Sequence, residues 1–258
     1  MSEAKLKVSK FSEDMWIFTE VGGGNVDAYL LVGKEKAVLI DSLTVIPALW
    51  DDVRKITDLP LELLVTHGHL DHIGIATLEL MEKGVPVHMD RKDIAMAESR
   101  LNTKLDNIID IPDGKIFDLG GIKLEAISLP GHTKGSMVFL DREKRRIFTG
   151  DAIGSGGFWM QLDCCTSLEE LLKNIDSLKN KLDGLENIVV HPGHRYQSPV
   201  PLGMNYIDDV RYVTAGIIDG SIVGEAKTMD FHGGIMHYNQ VVHGLINDYC
   251  YNPKNIKK

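Results

Sequence analysis

The sequence predicts an α/β fold, and three observations carry that expectation. Short apolar runs bounded by turn residues alternate with helical periods through the first hundred residues. Strand-like runs then succeed one another between residues 115 and 149, and an amphipathic stretch follows at 168–182. The polar clusters fall mainly where the strand-like runs end.

Trp16-Ile17-Phe18-Thr19 reads as the first strand. Asn25–Val32 and Lys36–Ile40 form a hairpin around Gly33-Lys34-Glu35, and the second arm runs into Asp41-Ser42. Ile46–Ile56 is helical in period, with Leu49, Val53 and Ile56 on one side. Leu61–Val65 is a buried strand, Ile73–Lys83 a helix closed by Gly84, and Val85–Met89 a strand before a polar helix over Arg91–Arg100. In the second block, Lys115–Phe117, Ile122–Leu129, Met137–Leu140 and Arg146–Thr149 read as strands joined by tight turns. Leu168–Leu182 is a helix with Leu171, Leu172, Ile175, Leu178 and Leu182 along one side; Ile188–Val190 is a strand and Tyr206–Ile218 a helix. The last forty residues carry weaker strand and helix patterns. A single domain is expected over 1–258, with a core at about 15–200 and a helix-and-strand extension at 201–258.

The chain has 258 residues, 43% of them hydrophobic and 25% charged, enough to bury a sizeable core without staples. Its net charge of −9 opposes binding to a phosphate backbone, so nucleic acid is not an expected partner. The cluster Arg142-Glu143-Lys144-Arg145-Arg146 lies between two strands and reads as a hairpin turn. Met1–Lys10 has no apolar signal region, and no run approaches the roughly 20 apolar residues of a membrane span. Three cysteines, Cys164, Cys165 and Cys250, do not make a disulfide framework. The expected setting is therefore cytoplasmic, without membrane attachment, and Cys164 and Cys165 read as small semi-buried thiols beside a loop.

The chemistry is concentrated at His67-Gly68-His69-Leu70-Asp71-His72, directly after the Leu61–Val65 strand. Imidazole and carboxylate are the donors that borderline divalent metals prefer, and so many together without a cation would leave polar groups needing partners. On a loop leaving a strand, His67 and His69 can face one metal position while Asp71 and His72 serve a second. Three further donors stand at element ends: His132 in Pro130-Gly131-His132-Thr133, Asp151 in Thr149-Gly150-Asp151, and His194 in Pro192-Gly193-His194.

Together with Leu39-Ile40-Asp41, these words in this order resemble the metallo-β-lactamase superfamily over roughly residues 15 to 200. The resemblance implies a four-layer αββα sandwich, two mixed sheets face to face with helices outside. It implies one metal held by His67, His69 and His132, and a second held by Asp71, His72 and His194, with Asp151 between them. His191 and Asp41 are expected to steady ligand imidazoles by hydrogen bonding. Two divalent ions are the implied cofactor, zinc by expectation, although the same donors accept iron or manganese.

The implied reaction is metal-assisted hydrolysis, with a hydroxide made at neutral pH attacking a small ester, thioester or lactone carbonyl. Asp71 is the expected catalytic residue, orienting the nucleophile and accepting its proton. Small-molecule substrates are the expected partners, and no Gly-x-Ser-x-Gly elbow offers a serine route. A mononuclear iron persulfide dioxygenase shares the motif letters and is the rival reading; a non-catalytic binding module is a third. Gly154–Leu162 reads either as a flexible apolar loop beside the metals or as core, and Ile235–Asn239 either as reaching the site or as packing. Residues 200 to 258 do not display the helical glutathione-binding domain of hydroxyacylglutathione hydrolases.

Overall fold

A computed structural model describes residues 4–198, 200–231 and 233–257. A seven-stranded sheet is built in the order of the chain: β1 (Lys5–Ser12), β2 (Met15–Val21), β3 (Asp27–Val32), β4 (Ala37–Ile40), β5 (Leu61–Leu64), β6 (Val87–Met89) and β7 (Ile108–Asp110). Pairing is antiparallel as far as β4 and parallel from there on. The switch has a simple cause. The β3–β4 link is a short turn, whereas β4, β5, β6 and β7 are separated by crossovers holding α1 (Leu49–Arg54), α2 (Ala76–Glu82) and α3 (Arg91–Leu101).

The second sheet holds β8 (Ile116–Asp118), β9 (Lys123–Ser128), β10 (Met137–Asp141), β11 (Arg146–Gly150) and β13 (Val189–Pro192) in the order β13-β11-β10-β9-β8. It too is mixed, because α4 (Leu168–Leu182) lies in the crossover that makes β11 and β13 parallel. Between the sheets lies an apolar layer in which Met15, Tyr29, Val38 and Leu64 meet Phe117, Ala126, Phe139 and Phe148. Outside the first sheet, Leu49, Val53, Leu80 and Ala97 of the helices pack on Leu30, Leu39 and Leu63. Outside the second, α4 and α5 (Met204–Asp219) cover Ile127, Val138 and Ile147. Strands covered on both faces need apolar residues at every position, which is why β4, β10 and β11 are buried throughout. The order of layers is the expected αββα sandwich.

Helix α4 spans the expected residues. Ser167 accepts the Glu170 N–H at 3.1 Å as its cap, and Leu168, Leu171, Ile175, Leu178 and Leu182 are buried. Between the sheets, the guanidinium of Arg146 reaches Asp141 at 2.9 Å and Asp14 at 2.7 Å, tying the β2 edge to β11. No helix among the described residues is long and apolar enough to cross a membrane.

Several features depart from the sequence expectation, among them β7, a three-residue strand in a stretch where the sequence reading gives no element. Lys5–Ser12 is an edge strand, hidden in the sequence because most of its side chains stay wet and no apolar alternation is needed. Part of the apolar segment read either as a loop or as core, Gly157–Met160, is strand β12. It pairs in parallel with β16 (Ile246–Tyr251) in a third sheet of order β12-β16-β15-β14, completed by β15 (Gly234–His243) and β14 (Glu225–Phe231). The C-terminal part is thus one helix and a three-stranded meander, packed beside the metal-ligand loops.

Candidate metal centre

All seven expected ligands stand beyond strand ends on one edge of the sandwich. The loop after β5 carries His67, His69, Asp71 and His72; the β9–β10 loop carries His132; Asp151 follows β11, and His194 follows β13. The structure brings them into two adjoining groups. The donor atoms of His67, His69 and His132 lie within 4.8 Å of one another, as do those of Asp71, His72, Asp151 and His194.

In the first group, His69 Nδ1 lies 3.1 Å from His67 Nε2 and 2.9 Å from His132 Nε2. Each ring's outer nitrogen has its own partner: Thr66 Oγ1 at 3.1 Å from His67 Nδ1, Cys164 Sγ at 3.4 Å from His69 Nε2, and the Trp159 carbonyl at 2.7 Å from His132 Nδ1. A carbonyl only accepts, so His132 Nδ1 carries the hydrogen and Nε2 turns a lone pair inward. Burial lowers His67 well below the usual imidazole value, and the His72, His69 and His132 rings add to it. Burial, then His69, also lowers His132. These neutral imidazoles are the form that binds a metal.

The second group is electrostatically opposite. His72 Nε2 lies 3.5 Å from Asp151 Oδ1 and 3.8 Å from Asp71 Oδ2, while His194 Nε2 lies 3.3 Å from Asp71 Oδ2 and 3.4 Å from Asp151 Oδ2. Burial would lower His72, yet Asp151, Asp41 and Asp71 together raise it to about 10. His194 is likewise raised, against its burial, by Asp151 and Asp71. Burial would raise Asp71, but His72 and His194 hold it well below the carboxylate range. The space between these side chains therefore favours positive charge. Asp151 stands between the groups, with its Oδ2 also 3.8 Å from His132 Nε2.

Buried atoms without partners test the fit of a cation. His72 Nε2 and Asp151 Oδ1 are both buried and have no hydrogen-bond partner among the described residues. His72 Nδ1 is already committed to Asp41 Oδ2 at 2.7 Å, and His194 Nδ1 to the Asn25 carbonyl at 3.2 Å, so both rings aim Nε2 at the same space. Leaving such atoms unpaired is costly, and a divalent ion is the partner that the donor set suits. Gly193 is also required here. A Cβ on it would stand 2.5 Å from His72 Cε1 and 2.6 Å from Asp151 Oδ1. Gly150 has φ +49°, and its Cβ would meet Thr66 Oγ1 at 2.4 Å, so only glycine lets the Asp151 backbone come this close.

Asp41, expected as an orienting group, is a hub. It accepts the Thr66 N–H at 2.7 Å, the Thr66 hydroxyl at 2.9 Å and His72 Nδ1. His191 departs from the expectation: its ring stacks on Phe148 at 5.1 Å and packs against Phe11 and Tyr29. Burial holds it neutral, down to about 3. It is an apolar-core histidine, because alternation along β13 turns it between the sheets and away from the ligands.

Two buried carboxylates escaped the sequence reading. Asp93 of α3 accepts from Gly68 N at 2.9 Å, Thr133 Oγ1 at 2.6 Å and Gly135 N at 2.9 Å, joining the His67–His72 loop to the His132 loop. Glu20 accepts from Gly24 N at 3.1 Å, Thr44 N at 2.8 Å and Val45 N at 3.1 Å, fixing two loops that border the site. Cys164, expected as a bland thiol, instead backs His69; none of the three cysteines is in a disulfide.

A cavity of about 390 Å³ opens over the ligands, bordered by His69, Asp71, His132, Asp151 and His194 and walled by Trp159, Leu162 and Tyr196. The apolar segment at 154–162 divides its roles by strand alternation. Gly157 and Trp159 border this cavity, while Phe158 and Met160 are fully buried core.

The family described as the metallo-beta-lactamase superfamily matches residues 21–194, and the chain belongs to it. This superfamily binds divalent metals and consists mostly of hydrolytic enzymes. The chain is 28% identical over 164 residues to a probable polyketide biosynthesis zinc-dependent hydrolase, BaeB, of Bacillus velezensis, covering 63% of this chain and 69% of that protein. It is 35% identical over 158 residues to the hydroxyacylglutathione hydrolase GloC of Haemophilus influenzae, covering 55% of this chain and 73% of that one. It is also 32% identical over 178 residues to the mitochondrial persulfide dioxygenase ETHE1 of Mus musculus, with 65% and 63% covered. Among solved structures, a metallo-beta-lactamase from Pontibacter korlensis superposes with a TM-score of 0.65 at 21% identity, covering 82% of this chain and 99% of that one.

Proposed function

We propose that the protein is a dinuclear metal-dependent hydrolase acting on a small ester, thioester or lactone. The observation that carries this reading is the adjoining pair of ligand groups, complete in donors and joined at Asp151. His67, His69 and His132 would hold one ion; Asp71, His72 and His194 the other, with Asp151 shared. Bound there, divalent ions supply a Lewis acid for a carbonyl oxygen and bring water towards neutral pKa.

The chain's own residues do the rest. In this reading Asp71, which faces the same space as His72 and His194, would orient a water and accept its proton as the water adds. Asp41 fixes the His72 ring, and the Trp159 carbonyl fixes His132, so neither ligand must reorganise during turnover. Trp159 and Leu162 give the substrate an apolar wall and thin the water around the reacting carbonyl. Zinc, on which the similar BaeB is described as dependent, is the metal of this reading, with small molecules as substrates in the cytoplasm.

The similarity to a persulfide dioxygenase supports one rival. Purified, metal-analysed protein should be assayed on thioesters, lactones and carboxyl esters, and separately for oxygen uptake with glutathione persulfide. Turnover of a carbonyl substrate without oxygen uptake is expected. Oxygen uptake with one iron per chain and no hydrolysis would replace this reading with the dioxygenase.

A further inference from the structure

A second, larger cavity of about 910 Å³ adjoins the first, and Arg100, Leu162 and Phe231 border both. The third sheet forms one wall through β14 and β15, including Lys227, Met236 and Tyr238; Ile235–Asn239 lie here and not at the ligands. The segment Gln161–Cys164 also lines it, and Cys164 is the thiol behind His69.

Within that wall, Gln161 is unusual. Its residue is 2% exposed, and both amide atoms, Oε1 and Nε2, are buried with no hydrogen-bond partner among the described residues. One unpaired donor and one unpaired acceptor side by side are what a secondary amide, with its own N–H and C=O, would satisfy. Charge gives the second clue. The cavity border carries Arg100, Lys227 and Lys254 against the single carboxylate of Asp163, in a chain of net charge −9. Lys227 is engaged by Glu225 at 2.7 Å, whereas Arg100 has no ion-pair partner among the described residues and sits at the junction of the two cavities.

We infer that the larger cavity is a binding subsite for the non-reacting arm of the substrate, an arm carrying a secondary amide and an anionic group, with Gln161 pairing the amide and Arg100 the anion. The inference rests on the metal centre being where the substrate reacts. The anion can be a carboxylate or a phosphate; both accept from a guanidinium.

Calorimetry on the full-length, metal-loaded protein tests it with three probes: N-hexanoylethanolamine, its O-phosphate, and N-hexanoylglycine. The anionic probes should bind about tenfold more tightly than the neutral one, the share of a charge-assisted hydrogen bond. Arg100→Gln should bring them down to the neutral probe and leave that one unchanged; whichever anion loses more identifies the source. Gln161→Leu should weaken all three about tenfold without lowering the melting temperature. Arg100 is exposed, so its arm reads out even if Gln161→Leu fails to fold. Equal binding of charged and neutral probes, or binding indifferent to both substitutions, would overturn the subsite. Failure of the hydrolase reading is seen separately, in the metal count and in turnover, neither of which enters the calorimetric result.

Discussion

Asp41→Asn is the most informative single change at this centre. Asp41 has φ +63°, a left-handed conformation that asparagine tolerates well, so the backbone has no reason to move. The carboxylate collects three donors: Thr66 N on Oδ1, and Thr66 Oγ1 with His72 Nδ1 on Oδ2. An amide group keeps one oxygen, so its NH2 must face either the Thr66 N–H or the pair on Oδ2. Leaving buried donors unpaired costs about 1–3 kcal/mol each, so a loss of roughly 2–4 kcal/mol in unfolding free energy is expected for the metal-free protein. The imidazole of His72 also loses the anion that fixes its tautomer and strengthens Nε2 as a donor. Removing such a partner lowers metal affinity about 10–100-fold, roughly 1.4–2.7 kcal/mol. Competition with a chromophoric chelator measures the affinity, and urea unfolding the stability. Metal affinity within twofold of the parent would refute the assignment of Asp41 as the group that holds His72 in its ligating tautomer.

Asp71→Ala and His132→Ala should each abolish turnover while the circular dichroism spectrum stays that of the parent; activity retained in either removes that residue from the site. Asp93→Ala leaves Gly68 N, Gly135 N and Thr133 Oγ1 without their acceptor, so a loss of about 2–4 kcal/mol in urea unfolding is expected, together with weaker metal binding. Glu62 gives a pH test on side chains outside the two ligand groups. The His88 ring 3.1 Å away, and then Lys36 at 2.6 Å, hold its carboxyl down to about 2 against an ordinary 4.5. Since the folded value lies below the unfolded one, this contribution is complete above pH 4.5 and fades as pH falls towards 2. After allowing for solvent screening it is on the order of 1–2 kcal/mol, so the stability gap between parent and Glu62→Gln should shrink between pH 5 and about 2.5. A gap independent of pH would show that the ion pair contributes nothing.

What was legible in the sequence was legible for local reasons. The His67–His72 cluster, Pro130-Gly131-His132, Gly150-Asp151 and Gly193-His194 could be found because donors directly after apolar runs must lie at strand ends, and strand ends of a sandwich share an edge. Helix α4 was clear because its apolar stripe recurs at helical spacing from Leu168 to Leu182. Asp93 was not, since an acid in the first turn of a helix already has a sufficient explanation in the helix dipole. His191 misled through the opposite effect: a histidine beside Pro192-Gly193 looks like a site residue, and only strand alternation turns it into the core. The third sheet was obscure because β14 and much of β15 are exposed, so their sequence carries no strict alternation.

Metal stoichiometry decides whether the two ligand groups each hold an ion. Equilibrium dialysis against zinc, followed by metal analysis, should give two ions per chain in the parent, and one each in His67→Ala and His194→Ala. A parent that retains one ion or none, or a stoichiometry that neither substitution changes, would rule out a dinuclear centre.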